Sequence, residues 1–154
     1  MKVLVVIFCF FFALSFNAQQ LVWNTAQVFV KDAALLHVNG NIESAGTNTI
    51  LKNNGQLLVR AGWQNGDFVL TESALVHGNG RYLIEGDWIN NANFSADSSL
   101  VTLEGGNEFI AGDSVSRYYD LELKGTGIKT QRIDAYVTHE LQLNNLELAI
   151  DSFF

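Results

Sequence analysis

The chain has no proline, a single cysteine and few charged residues, which make up 16% of its 154 positions. With proline absent, chain reversals fall to glycine and asparagine, and polar character is carried mainly by amides and hydroxyls. That composition suits turn-rich β structure better than a surface of charged helices. The one cysteine, Cys9, lies inside an apolar leader. The rest of the chain therefore has no disulfide, no thiol chemistry and no cysteine metal site. Basic residues are half as common as acids once the leader is set aside. Removing Lys2 leaves 8 bases against 16 acids, a formal charge of −8. Such a surface argues against nucleic acid, which needs basic side chains to displace counterions, and against adhesion to anionic lipid. Beyond the leader, no segment carries a helical period with caps.

The leader itself is the first positive signal. Lys2 supplies a basic start, Val3 to Leu14 an unbroken apolar run, and Ser15 to Ala18 a polar, small-ended close. This is the pattern of a secretory signal peptide with cleavage after Ala18, residues 1–18 being removed. The apolar run is too short to span a bilayer comfortably. An exported chain without disulfides must hold together by burial and backbone pairing.

Residues 19–154 repeat themselves. "LLHVNGNIESAG" (Leu35 to Gly46), "LLVRAGWQNGDF" (Leu57 to Phe68), "YLIEGDWINNANF" (Tyr82 to Phe94) and "LVTLEGGNEFIAG" (Leu100 to Gly112) follow one another at intervals near 20 to 25 residues. Each unit has a short β-type run followed by glycine and asparagine. In "LVTLEG", Val101 and Leu103 alternate with Thr102 and Glu104, the period of a half-buried strand. The same alternation recurs at Leu121 and Leu123, and again at Leu141, Leu143, Leu146, Leu148 and Ile150. Asn53-Asn54-Gly55, Asn65-Gly66, Gly78-Asn79-Gly80, Asn90-Asn91 and Asn144-Asn145 are the expected corners, because both residue types tolerate positive φ. Stacked coils would place their amides in register. Fixed-period repetition of this length predicts an all-β, right-handed parallel β-solenoid (β-helix) of about five coils. Asn-Gly is also a strong hairpin signal, so an antiparallel sandwich or meander is the rival architecture.

The phrase Gly86, Asp87, Trp88, Asn90, Asn91, Phe94 resembles a G-D-W-x-N-N-G-x-F motif, with Ala92 where glycine is usual. The strand Leu100 to Gly105, then Asn107, Phe109, Ile110 and Gly112, and then Tyr119, Leu121 and Leu123 extend the likeness, with Glu108 in place of glutamine. Over Trp63 to Ile150 the chain is similar to the repeat regions of secreted, Bacteroidetes-type β-solenoid proteins. The resemblance implies an adhesin-like surface protein, and it says little about activity. Members of that family usually continue much further and often end in a sorting domain of the gliding-type secretion system. Here "LELAIDSFF" closes on an apolar strand with no polar cap, so the domain is expected to be the N-terminal part of a longer or truncated protein.

Candidate chemistry is sparse. His37, His77 and His139 have no partner at a spacing such as His-x-x-x-His, so no metal site is expected. No Gly-x-Ser-x-Gly elbow occurs, and the glycine-rich "GNGRYLIEG" is not followed by a helix. Neither a cofactor nor an enzymatic activity is expected. Trp63 and Trp88, 25 residues apart, close similar phrases with Phe68 and Phe94. Exposed on one face beside Asp67 and Asp87, the two indoles would form a sugar-stacking platform or, with the acids, a polysaccharide-active site. Buried, they would fill corners between coils. Calcium is disfavoured, because neither an Asp-x-Asp-x-Asp-Gly loop nor the nine-residue calcium repeat is present. The sequence as a whole points to a secreted or cell-surface structural module. Its expected partners are surface glycans or other cell-surface proteins, without membrane insertion after leader cleavage.

Overall fold

The structure, a computed structural model, describes residues 20–151. The expected signal peptide, Cys9 and the last three residues lie outside the described residues. The first turn comprises β1 (Gln20–Asn24), β2 (Gln27–Val30) and β3 (Leu35–Asn39). The second comprises β4 (Asn41–Ala45), β5 (Ile50–Asn53) and β6 (Gln56–Arg60), and the third β7 (Phe68–Leu70), β8 (Leu75–His77) and β9 (Arg81–Ile84). The fourth comprises β10 (Trp88–Asn90), β11 (Asn93–Phe94) and β12 (Leu100–Leu103). Two turns then have only two strands each: β13 (Glu108–Ala111) with β14 (Ser116–Leu123), and β15 (Lys129–Gln131) with β16 (Ala135–Gln142). β17 (Leu148–Ile150) opens a further pass.

Every strand pairing is parallel. Three sheets run along the stack. The first has the order β1-β4-β7-β10-β13-β15-β17, the second β2-β5-β8-β11, and the third β3-β6-β9-β12-β14-β16. This is a parallel β-solenoid, and the Asn-Gly pairs are corners of coils instead of hairpin turns. There are about six turns, one more than the repeated phrases predict, because the first turn (20–39) contains no Gly-Asn-aromatic phrase to count. The second sheet ends at β11, where the cross-section narrows from three sides to two. The eight-residue β14 and β16 take over the length that two shorter strands occupy lower in the stack.

Alternation of faces builds the core. Leu57 and Val59, Tyr82 and Ile84, Val101 and Leu103, and Leu121 and Leu123 occupy equivalent inward positions of the third sheet, and all are buried. Ile42, Phe68, Trp88 and Ile110 form the matching column in the first sheet. Trp23, also buried, closes the interior of the first turn. The apolar alternation continues into the last turn, where Leu141 is 44% and Ile150 74% exposed.

Two Asn-Asn corners share one hydrogen-bond scheme. Asn53 Oδ1 accepts from the N–H of Gly55 (3.1 Å) while its Nδ2 donates to the Arg81 carbonyl one coil on (2.9 Å). Asn90 Oδ1 accepts from Ala92 N–H (3.1 Å) and its Nδ2 donates to the Val115 carbonyl (3.4 Å). Both asparagines are fully buried. Their neighbours point outward and bridge coils: Asn54 Oδ1 accepts from Asn79 N–H and Asn91 Oδ1 from Asp113 N–H. These asparagines therefore act through their amides; none of the four has a positive φ. The expected left-handed backbone is found at Asn144-Asn145, Gly66 and Gly78, and also at Ala33, Asn48, Glu72 and Asp97.

Each buried asparagine demands a glycine above it. At Gly78 (φ +121°) a Cβ would lie 2.2 Å from the Asn53 carbonyl oxygen, and at Gly112 (φ +119°) 2.2 Å from that of Asn90. Gly112→Ala is expected to cost more than about 1 kcal/mol in urea denaturation, from strain and from the separation it forces between coils. Gly106→Ala, where a Cβ meets nothing within 4 Å, is expected to be neutral.

Candidate functional site: a corner ladder and the Trp63 loop

The four residues singled out from the sequence separate into three environments. Trp88 has no exposure. Its ring stacks on Phe68 (centroids 5.0 Å apart, 20° between planes) and meets Phe94 at 4.8 Å and Tyr118 at 5.5 Å, both edge-on. Its indole N–H donates to Ser116 Oγ at 2.9 Å, so the polar edge of the ring is satisfied inside the core. Such a residue offers no face to a sugar.

Trp63 is 87% exposed. The two indoles do not stack, because the 25-residue offset between coils in the third sheet does not carry over into the first. Trp88 pairs with Phe68, and Ile84 with Val59. Gly66-Asp67-Phe68 is therefore the true counterpart of Gly86-Asp87-Trp88, and Ala61 to Asn65 is a five-residue insertion between Arg60 and Gly66. The insertion carries Trp63 off the body of the coil. Its base is held by Glu85, whose Oε2 accepts from Ala61 N–H at 2.7 Å, and by a tight contact from Gly62 N–H to the Gln64 carbonyl (3.0 Å).

Asp67 and Asp87 belong to a ladder at the start of the first sheet. Asn41, Asp67, Asp87 and Phe109 occupy one position in four successive coils. Asn41 Oδ1 accepts from the N–H groups of Gly66 and Asp67 (3.0 and 2.9 Å), and its Nδ2 donates to Asp67 Oδ2 (3.2 Å). Asp67 Oδ1 accepts from Asp87 N–H (2.9 Å), and Asp87 Oδ1 from Phe109 N–H (2.8 Å). Asn107 continues the line two residues earlier in its coil, accepting from Ile128 N–H at 2.8 Å. Each side chain thus satisfies a backbone donor that the corner leaves outside the sheet. Burial pushes the Asp87 carboxyl above its usual value; the Phe109 hydrogen bond opposes this, and the charge of Asp67 adds to it. These carboxylates are committed to the stack, one coil tied to the next.

A second line runs along the far end of the third sheet. Arg60, Glu85, Glu104 and Lys124 follow the same strand position in four consecutive coils. Arg60 pairs with Glu85 and with Glu104 (2.7 Å), and Lys124 with Glu104 (3.4 Å) and Glu122 (3.5 Å). The two acids in the middle of this column are neutralised from above and below. Glu85 and Glu104 are adjacent like charges in this column, and the flanking Arg60 and Lys124 offset their repulsion.

Sequence reasoning missed a buried ion pair. Lys129 and Glu108 are register partners in β15 and β13, with side chains 0% and 1% exposed. Lys129 Nζ donates to Glu108 Oε2 and to the carbonyls of Gly105 (3.0 Å), Gly106 (2.8 Å) and Thr126 (3.3 Å). Glu108 Oε1 accepts from Gly105 N–H at 3.2 Å. Burial pushes the Glu108 carboxyl up to about 7 against the pull of Lys129. The only hint in the sequence is that Glu108 stands where the resembled motif has glutamine.

Comparison with protein-family models, with curated proteins and with solved structures gave no match. The class of the molecule therefore rests on its own geometry: a parallel β-solenoid locked by asparagine, aspartate and ion-pair ladders, with one inserted aromatic loop.

Proposed function

We propose that the chain is a secreted or cell-surface structural module, adhesin-like and non-enzymatic, of the kind the Gly-Asp-Trp-x-Asn-Asn phrase resembles. The observation that carries this reading is the use of the polar side chains. Asp67, Asp87, Asn53 and Asn90, the groups that would otherwise suggest chemistry, all hydrogen-bond within or between coils. A stack tied in this way is a stiff spacer that presents outward side chains at a regular interval. The apolar leader supports export. Fractionation of the native host tests the address: the chain is expected at the cell surface or in the medium, beginning at Gln19. Recovery from the cytosol with Met1 retained would refute it.

A carbohydrate-binding reading is favoured by one observation, the 87% exposure of Trp63 on its inserted loop. A lone indole face on a projecting loop suits stacking on a pyranose ring. In a glycan array, Trp63→Ala is expected to abolish any saccharide signal of the purified protein. A signal that survives the substitution would show that the loop is not the platform.

A further inference from the structure

We propose that Asp120, His139 and Glu140 form a site for a divalent transition-metal cation of zinc-like character on the third sheet. The three residues come from the neighbouring strands β14 and β16. One donor atom from each, the His139 ring nitrogen and two carboxylate oxygens, lies within 4.8 Å of the others. Donors bound to one ion at about 2.0–2.2 Å must themselves lie within roughly 4 Å of each other, so small side-chain rotations close the site.

Local structure explains the convergence. The ladder between β14 and β16 shifts register here: Tyr118 pairs with Val137, but Asp120 pairs with Glu140. β16 thus spends one residue more than β14, a bulge that re-aims the side chains around it. The His139 ring is stacked flat on Tyr119, with centroids 4.6 Å apart and planes at 7°, which fixes the plane of the imidazole. Its Nδ1 lies 2.6 Å from Asp120 Oδ1. Asp120 and Glu140 are direct cross-strand partners of like charge, an arrangement that is destabilising on its own. Among the described residues neither is paired with a lysine or arginine, and His139 offsets only Asp120. A dication would neutralise both carboxylates at once.

The donor set decides the class of ion. An imidazole nitrogen with two carboxylates suits zinc or a neighbouring first-row ion, whereas calcium takes six to eight oxygen ligands. With three protein donors, water would complete the coordination. The His139 side chain is 57% exposed, so the site is open to exchange with solvent. The arrangement was invisible to a search for short ligand spacings, because the solenoid brings together residues one coil apart.

Isothermal titration of Zn2+ into the metal-free purified protein tests the assignment. One ion per chain is expected, accompanied by a rise in melting temperature. His139→Ala, Asp120→Asn and Glu140→Gln are each expected to weaken binding by at least about tenfold and to remove the thermal shift. Circular dichroism of each variant confirms folding, which these solvent-accessible positions should preserve. His77, which among the described residues pairs with one carboxylate, Asp97, at 3.8 Å, is the internal control, and His77→Ala should bind as the parent does. No saturable binding to the parent, or one-to-one binding that survives His139→Ala, would overturn the proposal.

Discussion

Trp88→Ala is expected to destabilise the protein by about 3–5 kcal/mol, the range for removing a large aromatic from a packed core. Trp63→Ala is expected to stay within about 0.5 kcal/mol of the parent, as surface substitutions usually do. The contrast comes from packing alone, since the surrounding phrases look alike. Trp88 is at the centre of an aromatic cluster with Phe68, Tyr82, Phe94 and Tyr118. That cluster spans the level at which the second sheet ends, so its loss opens a cavity where the cross-section changes. The Trp88 N–H also donates to Ser116 Oγ, an acceptor shared with Asn90 Nδ2 at 3.3 Å. Urea denaturation measures both variants. Fluorescence supplies an independent check. Acrylamide should quench the parent mainly through Trp63, because Trp23 and Trp88 are buried, and the Trp63→Ala variant should resist quenching.

The second large effect concerns Lys129. Lys129→Met strands the Glu108 carboxylate in the core and is expected to cost about 3–5 kcal/mol above pH 7. The penalty shrinks at low pH, where Glu108 takes up a proton. The parent should show the matching pH dependence. Folding raises the Glu108 pKa from 4.5 to about 7, so the native state holds this proton more tightly than the unfolded chain. Its contribution to stability is complete below pH 4.5 and is lost as pH rises to about 7. Glu108→Gln removes the titrating group and should flatten the stability profile across that window. The Lys129 ammonium then still has the carbonyls of Gly105, Gly106 and Thr126 around it. Its cost should therefore be smaller than that of Lys129→Met. Equal losses in the two variants, independent of pH, would show that the pair is not buried as described.

The architecture was legible because two independent signals agreed. Alternation at Val101 and Leu103 or Leu121 and Leu123 marks half-buried strands, and the recurring Gly-Asn phrase sets the coil length. The phase of the repeat was not legible in the second turn. Both tryptophans follow a glycine closely, and that likeness hid the insertion at 61–65. The true anchor is the Gly-Asp-aromatic triplet, in which the aspartate caps the next coil and the ring enters the core. Corners were read correctly as asparagine-rich but for an incomplete reason. Positive φ does occur at the expected corners Asn144, Asn145, Gly66 and Gly78, but Asn53 and Asn90 act through side-chain hydrogen bonds, and Ala33 and Glu72 take left-handed backbone with no turn preference to announce it. The Glu108–Lys129 pair and the Asp120–His139–Glu140 group were missed for a common reason. Their members are about 20 residues apart, and only the register of the coils, which the sequence gives to within a few residues, brings them together.

The central claim is that successive coils lie parallel and in register, with Phe68 above or below Trp88. A cysteine pair at Val69 and Ile89, in a background with Cys9 changed to serine, tests it most directly. These residues are register partners on adjacent strands of the first sheet. Parallel neighbours lie about 4.8 Å apart, within the Cα range of a disulfide. Mild oxidation of Val69→Cys/Ile89→Cys is expected to give an intramolecular cross-link in the folded protein, lost in urea before oxidation. A pair that stays reduced while folded, or that cross-links equally well when unfolded, would contradict the stacked solenoid.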